Sequence, residues 1–162
     1  MFSKILVPLD GSELSEKALS MAQNLASSSD TSIHLIQVIS LQPELDARRG
    51  SNGGSITVLE MEQDAARRLI EAQTARGKEY LEGVAVQLQK AGINVVTVIR
   101  EGAAGENIVE YAKEQDINLI VMSTHGRSGF KRFFVGSVTD RVIRSGETPV
   151  LVLPALSASS RL

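Results

Sequence analysis

Five short apolar runs recur along the chain, and the stretches between them carry apolar residues at helical spacing. The runs are KILVPL (Lys4 to Leu9), SIHLIQVI (Ser32 to Ile39), INVVTVI (Ile93 to Ile99), INLIVMS (Ile117 to Ser123) and TPVLVLP (Thr148 to Pro154). Short, nearly continuous β-branched segments of this kind suit strands of a parallel sheet, which are buried on both faces by crossover helices. The alternation predicts one α/β domain built from βα units.

The intervening segments carry helix signals. Leu14, Ala18, Met21, Ala22 and Leu25 follow Ser12, which is placed to serve as an N-cap. A second helix is expected from near Val58 to Lys90, with Leu81, Val84, Leu88 and Ala91 as its stripe and Gly92 at the C-cap. Gly77 and Gly83 lie within it and weaken it locally. GENIVEYAKEQD (Gly105 to Asp116) and VTDRVIRSG (Val138 to Gly146) read as the third and fourth helices.

At 162 residues and 43% hydrophobic content, the chain has material for one core. The expectation is a single domain over residues 1–154, with ALSASSRL (155–162) as a flexible tail. A net charge of −2 provides no global field to recruit nucleic acid or an anionic membrane. No apolar run approaches the length of a bilayer span, and the N-terminus meets Asp10 before a signal peptide's apolar core would be complete, so a cytoplasmic location is expected. There is no cysteine, and His34 and His125 are the only imidazoles, which argues against disulfides and zinc sites. His34 alternates within a strand and reads as a packed or edge residue. Glu60, Glu62, Asp64, Arg67 and Arg68 read as a solvated helix face.

Two loops stand out. Ser40 to Ser55 is long and glycine-rich, but no Lys-Ser or Lys-Thr follows its GSNGG, so it reads as a mobile flap or disordered connection rather than a Walker-type phosphate loop. The other is in VMSTHGRSGFKRFFVGSVTDRVIR, Val121 to Arg144. Ligands of open parallel sheets bind beyond the carboxyl ends of the strands, where this loop begins. Gly126, Gly129 and Gly136 would let backbone N–H groups approach an anion closely, and Ser137 would open a helix whose N-terminus favours phosphate. Arg127, Lys131 and Arg132 add local positive charge. On spacing alone these glycines serve equally as turn residues and Gly-Ser as a cap.

These residues resemble the universal stress proteins, whose ATP-binding members carry Gly-x2-Gly-x9-Gly-Ser/Thr between the fourth strand and the last helix. STHGRSGFKRFFVGS sets Ser123, Gly126, Gly136 and Ser137 on that pattern, with Arg127 to Val135 in the long gap. KILVPLDGSELSEKAL, AKEQDINLIVMSTHG and GSVTDRVIRSGETPVLVLP are similar to the family as well. Ser123 departs from it, since ATP-binding members usually have glycine there; its hydroxymethyl group would either crowd the nucleotide or bond to it.

The resemblance implies a Rossmann-like open five-stranded parallel sheet in the order 3-2-1-4-5 with helices on both faces. It implies ATP as ligand, with AMP or ADP as alternatives, and Mg2+ or Mn2+ carried by the nucleotide. The adenosine half maps to Pro8, Leu9 and Asp10, with Val38 and Met122 beside the adenine. Asp10 would accept from an adenine amine or a ribose hydroxyl, or would cap the first helix instead. Val38 and Met122 are otherwise core. Gly126, Arg127, Gly136, Ser137, Val138 and Thr139 match the phosphate end, with Ser123, His125 and Gly129 in the same loop. Family members pair the last strand with its twofold mate, which here implies a homodimer through Pro149 to Leu153, bracketed by Pro149 and Pro154.

Three functions follow: a nucleotide-binding stress or signalling module, a slow ATPase or adenylyl-transferring enzyme, and a ligand-free dimeric scaffold. No evident base for activating water stands in the loop, which disfavours fast turnover. STHGRSG lacks the Gly-x-Ser-x-Gly elbow that a serine nucleophile requires.

Overall fold

The computed structural model of the chain describes residues 2–26, 30–40, 56–124 and 136–154. Its elements run β1 (Lys4–Pro8), α1 (Glu13–Leu25), β2 (Ser32–Ile39), α2 (Ile56–Lys90), β3 (Asn94–Glu101), α3 (Ala104–Glu114), β4 (Leu119–Ser123), α4 (Ser137–Ser145) and β5 (Val150–Leu153). The strands form one sheet in the order β3-β2-β1-β4-β5, and all four pairings are parallel. This is the Rossmann-like arrangement implied by the sequence resemblance.

Strand alternation distributes the core to two faces. Val7, Leu35 and Val121 point to the face covered by α1 and α2, against Ala18, Ala22, Leu81 and Leu88. Leu6, Ile36, Ile120 and Met122 point to the other, against Ile108, Tyr111 and Val142 of α3 and α4. Fully burying one such side chain stabilises the fold by about 1.5–3 kcal/mol relative to exposing it.

Several element ends differ from expectation by one or two residues, and three of them have a local cause. β4 starts at Leu119 rather than Ile117 because Asn118 is engaged sideways: its Oδ1 accepts from the Ser3 and Lys4 amides at 3.2 and 3.0 Å. β5 starts at Val150 because Pro149 has no N–H to donate. The third helix ends at Glu114 rather than Asp116. There Asp116 takes φ +52°, and the Ile117 amide donates to the Ala112 carbonyl at 2.9 Å. That is the termination Gly92 provides for α2, at φ +81° with Ile93 N–H to Leu88 O at 3.2 Å, and aspartate is among the few residues that substitute for glycine in it.

Gly77 weakens α2 as a helix but serves its packing. A Cβ there would lie 3.0 Å from both Gln37 Oε1 and Ile99 Cδ1, so its absence lets α2 approach β2 and β3 closely. His34 is buried in the sheet, with Nδ1 2.8 Å from the Tyr111 hydroxyl and Nε2 3.3 Å from Ser32 Oγ. Arg100 stands over the Tyr111 ring at 5.2 Å and pairs with Glu114 and Glu110. Asp64, Arg67 and Arg68 are exposed, with Arg67 3.0 Å from Glu71, as a solvated helix face requires. No helix among the described residues is long and apolar enough to cross a membrane.

Candidate ligand-binding cleft

β1 and β4 are neighbours, yet the chain leaves β1 for β2 and β3 on one side and β4 for β5 on the other. The strand order therefore switches between them, and beyond the carboxyl ends at such a switch two diverging connections leave a crevice. A cleft of about 130 Å³ opens there. β1 and the turn after it contribute Pro8, Leu9 and Asp10; β2 contributes Ile36 and Val38; β4 contributes Met122 and Ser123. Ser15 of α1, Ala104 and Ile108 of α3, and Val138 and Thr139 of α4 complete the lining. Its walls are mainly apolar, and its polar groups stand at the Asp10–Ser15 side and the Ser123–Thr139 side.

The two sides are held differently. At the first, Asp10 Oδ1 accepts from the Ser12 amide at 3.0 Å, and Gly11 takes φ +78°, which makes the tight turn from strand to helix. The N-cap of α1 is Ser12, whose hydroxyl accepts from the Ser15 amide at 3.2 Å. Asp10 thus fastens the turn before the helix while lining the cleft. At the second side, the Gly136 amide donates to the Thr124 carbonyl at 2.7 Å, so the chain returns to the end of β4 where it left it. The Thr139 hydroxyl donates to the Ser123 carbonyl at 3.0 Å and fastens α4 to the same point. Gly136 is the N-cap of α4, and among the described residues no side chain caps this helix. Its first-turn amides have no acceptor within the helix.

Of the residues singled out in the sequence, Pro8, Leu9, Asp10, Val38, Met122, Ser123, Val138 and Thr139 surround this one cleft, and Gly136 and Ser137 adjoin Val138 at the start of α4. His125, Gly126, Arg127 and Gly129 lie outside the described residues. Sequence reading missed Ser15, Ile36, Ala104 and Ile108. Strand alternation from Val38 points to Ile36, and Ala104 and Ile108 share a helix face at i, i+4; the signal for Ser15 was its place in the first turn after the Ser12 cap. α3 reaches the cleft because Gly105 lets it close on α4: a Cβ at Gly105 would lie 2.7 and 2.8 Å from Cγ and Cβ of Arg141. Among the described residues no cluster of three or more metal-ligating side chains forms.

The family model of the universal stress proteins matches residues 1–154. The chain belongs to the universal stress protein family. It is 31% identical to universal stress protein MJ0577 of Methanocaldococcus jannaschii over 159 residues, 94% of this chain and 95% of that protein. The solved structure of MJ0577 superimposes with a TM-score of 0.79 at 29% identity, covering 98% of this chain and 99% of that one. Universal stress protein YxiE of Bacillus subtilis is 31% identical over 153 residues, 94% of this chain and 99% of that protein. Two more distant structures share the fold. One is an Arabidopsis thaliana universal stress protein family protein with AMP bound, with a TM-score of 0.62 at 16% identity over 94% of this chain and 91% of that one. The other is a universal stress protein in complex with cAMP, with a TM-score of 0.58 at 21% identity over 94% and 97%.

Proposed function

We propose that this universal stress protein binds an adenine nucleotide in the cleft at the β1/β4 switch, with ATP the favoured form over ADP and AMP, and acts as a cytoplasmic stress or signalling module. The observation that carries the reading is the pairing of an apolar slot with a helix N-terminus whose own cap residue, Gly136, offers no side chain: Val138 and Thr139, in the first turn of α4, line the same cleft as Val38 and Met122. An apolar slot suits a planar base, and first-turn helix amides at the positive end of the dipole suit phosphate. Drug-sized ligands fill about 300–1,000 Å³. At about 130 Å³ the cleft fits the base, and the rest of the nucleotide would extend toward α4. The AMP and cAMP complexes of two proteins with this fold support the adenine class.

In this reading the base lies against Val38 and Met122, Asp10 accepts from the amine or a ribose hydroxyl, and the Gly136 and Ser137 end receives the phosphates. The family resemblance assigns Gly126 and Arg127 to that end, with His125 and Gly129 in the same loop, and Ser123 would stand where the phosphate and nucleoside halves meet. Mg2+ or Mn2+ would be bound by the triphosphate itself, neutralising part of its charge. The domain comprises residues 1–154, with 155–162 as its tail. It pairs through β5, a four-residue edge strand whose Val150 and Val152 are partly exposed, beside the exposed Ile143 of α4. A monomer mass in light scattering at micromolar concentration would remove the dimer. The nucleotide reading is tested by denaturing the purified protein and identifying what it releases, then by calorimetric titration with MgATP. Released adenine nucleotide or a saturable heat supports it, and the absence of both rejects it.

A further inference from the structure

The Asp10 side of the cleft is joined to the sheet by the Leu9 amide, which donates to the Ile36 carbonyl at 2.8 Å, and its turn is closed by short-range bonds. Ser15 is 4% exposed, and its hydroxyl donates to the Ser12 carbonyl at 2.8 Å and lies 3.5 Å from the Asp10 amide. Those bonds tie the turn to itself. A further tether, from α2, comes one residue later, where Glu16 Oε1 accepts from the hydroxyl of Tyr80 at 3.3 Å. Tyr80 belongs to α2, and its ring packs against the apolar cluster beneath α1 and α2. The phenol is pushed up to about 12, by burial first and then by the carboxylate of Glu16, with the Asp10 charge adding in the same direction and the Ser15 hydroxyl opposing it. One hydroxyl on α2 thus holds the first turn of α1, beside the Ser15 whose hydroxyl meets the Asp10 amide.

We propose that Tyr80 is a positioning residue of the nucleotide cleft: through Glu16 and Ser15 it holds the turn bearing Asp10, so that occupancy of the cleft is transmitted to α2. The inference rests on the nucleotide reading and extends it to regulation. The effect of ribose or adenine bonding to Asp10 would pass through the Asp10 amide and Ser15 hydroxyl to the first turn of α1 and from Glu16 to the phenol, whose movement is movement of a helix that runs from Ile56 to Lys90.

The chain has two tyrosines and no tryptophan, so ring-labelled tyrosine gives two NMR signals, assigned with Tyr80→Phe and Tyr111→Phe. Saturating MgATP or AMP is expected to shift the Tyr80 signal and leave Tyr111 in place. Tyr80→Phe keeps the ring and removes one hydrogen bond, and is expected to weaken both nucleotides about fivefold. Glu16→Ala should reproduce that loss, whereas Glu16→Gln, which keeps the acceptor, should restore near wild-type affinity. Inorganic triphosphate, lacking base and ribose, should bind the wild type and Tyr80→Phe equally. Saturable nucleotide binding with an unmoved Tyr80 signal, or with Tyr80→Phe at wild-type affinity, overturns the positioning role and leaves the nucleotide reading standing. Absence of any nucleotide binding to the wild type rejects that reading and the positioning role with it.

Discussion

Two of the helix N-termini that border the cleft, those of α1 and α4, are finished in opposite ways. α1 begins under its own cap: Ser12 accepts from Ser15, Asp10 accepts from Ser12, and the turn is closed. α4 begins at Gly136, which has no side chain to offer, and its fastenings are made by Gly136 N–H and Thr139 Oγ1 to carbonyls at the end of β4. Both ends are anchored, but α4, like α3 behind Ala103, leaves its first-turn amides without a side-chain acceptor from its own cap. A self-capped terminus stabilises the fold by itself, whereas an uncapped one gives up that stabilisation and keeps its donors for something else.

The largest expected effect comes from making the second terminus like the first. Gly136 has φ −59° and ψ 152°, which any residue adopts, so Gly136→Asp should fold normally and gain a few tenths of a kcal/mol from capping α4. Its carboxylate would occupy the amides and repel the phosphates, and calorimetry should show MgATP affinity reduced about a hundredfold or more. Affinity equal to wild type would mean that the open terminus is not where phosphate sits.

Next comes the packing that brings α3 against this helix. Gly105→Ala forces a methyl into the Cβ and Cγ of Arg141, close to the backbone, where a side chain cannot swing aside cheaply. Urea denaturation should show a loss of about 1–3 kcal/mol. A neutral outcome would show that α4 can shift without cost, and the cleft with it.

The closed terminus gives a smaller and purely structural response. Ser12→Ala removes the α1 cap and should cost about 1 kcal/mol in the same denaturation experiment, with nucleotide affinity changed far less than in Gly136→Asp. A loss of affinity matching that of Gly136→Asp would erase the distinction between the two ends.

The smallest effect is expected away from the cleft, at the buried His34–Tyr111 pair. Burial first, and then the Lys4 charge, hold the His34 pKa below its ordinary 6.5. The unfolded chain therefore takes up a proton at this site before the folded one does, so its contribution is intact above about pH 6.5 and declines as pH falls toward the folded value. His34→Gln removes the titration, and stability measured between pH 7.5 and 5 should fall less steeply than in the wild type.

What could be read from the sequence was what neighbouring residues decide. Apolar runs and helical stripes marked every element, Ser12 and Gly92 marked caps, and strand alternation assigned side chains to faces, because each signal spans a few residues of backbone. The Gly136–Ser137 helix start was legible for the same reason, and the family motif grouped it with Asp10, Val38 and Met122. Tertiary structure alone decided what depends on distant segments meeting. Asn118 trims β4 by bonding to Ser3 and Lys4; Gly77 and Gly105 are contact glycines rather than weak helix formers; Ser15, Ile36, Ala104 and Ile108 reach the cleft; and Tyr80 meets Glu16 across two helices. The physical reason is that helix propensity, capping and alternation are set within a turn or two of chain. A close approach or a side-chain bond between elements exists only once the sheet order has placed those elements side by side.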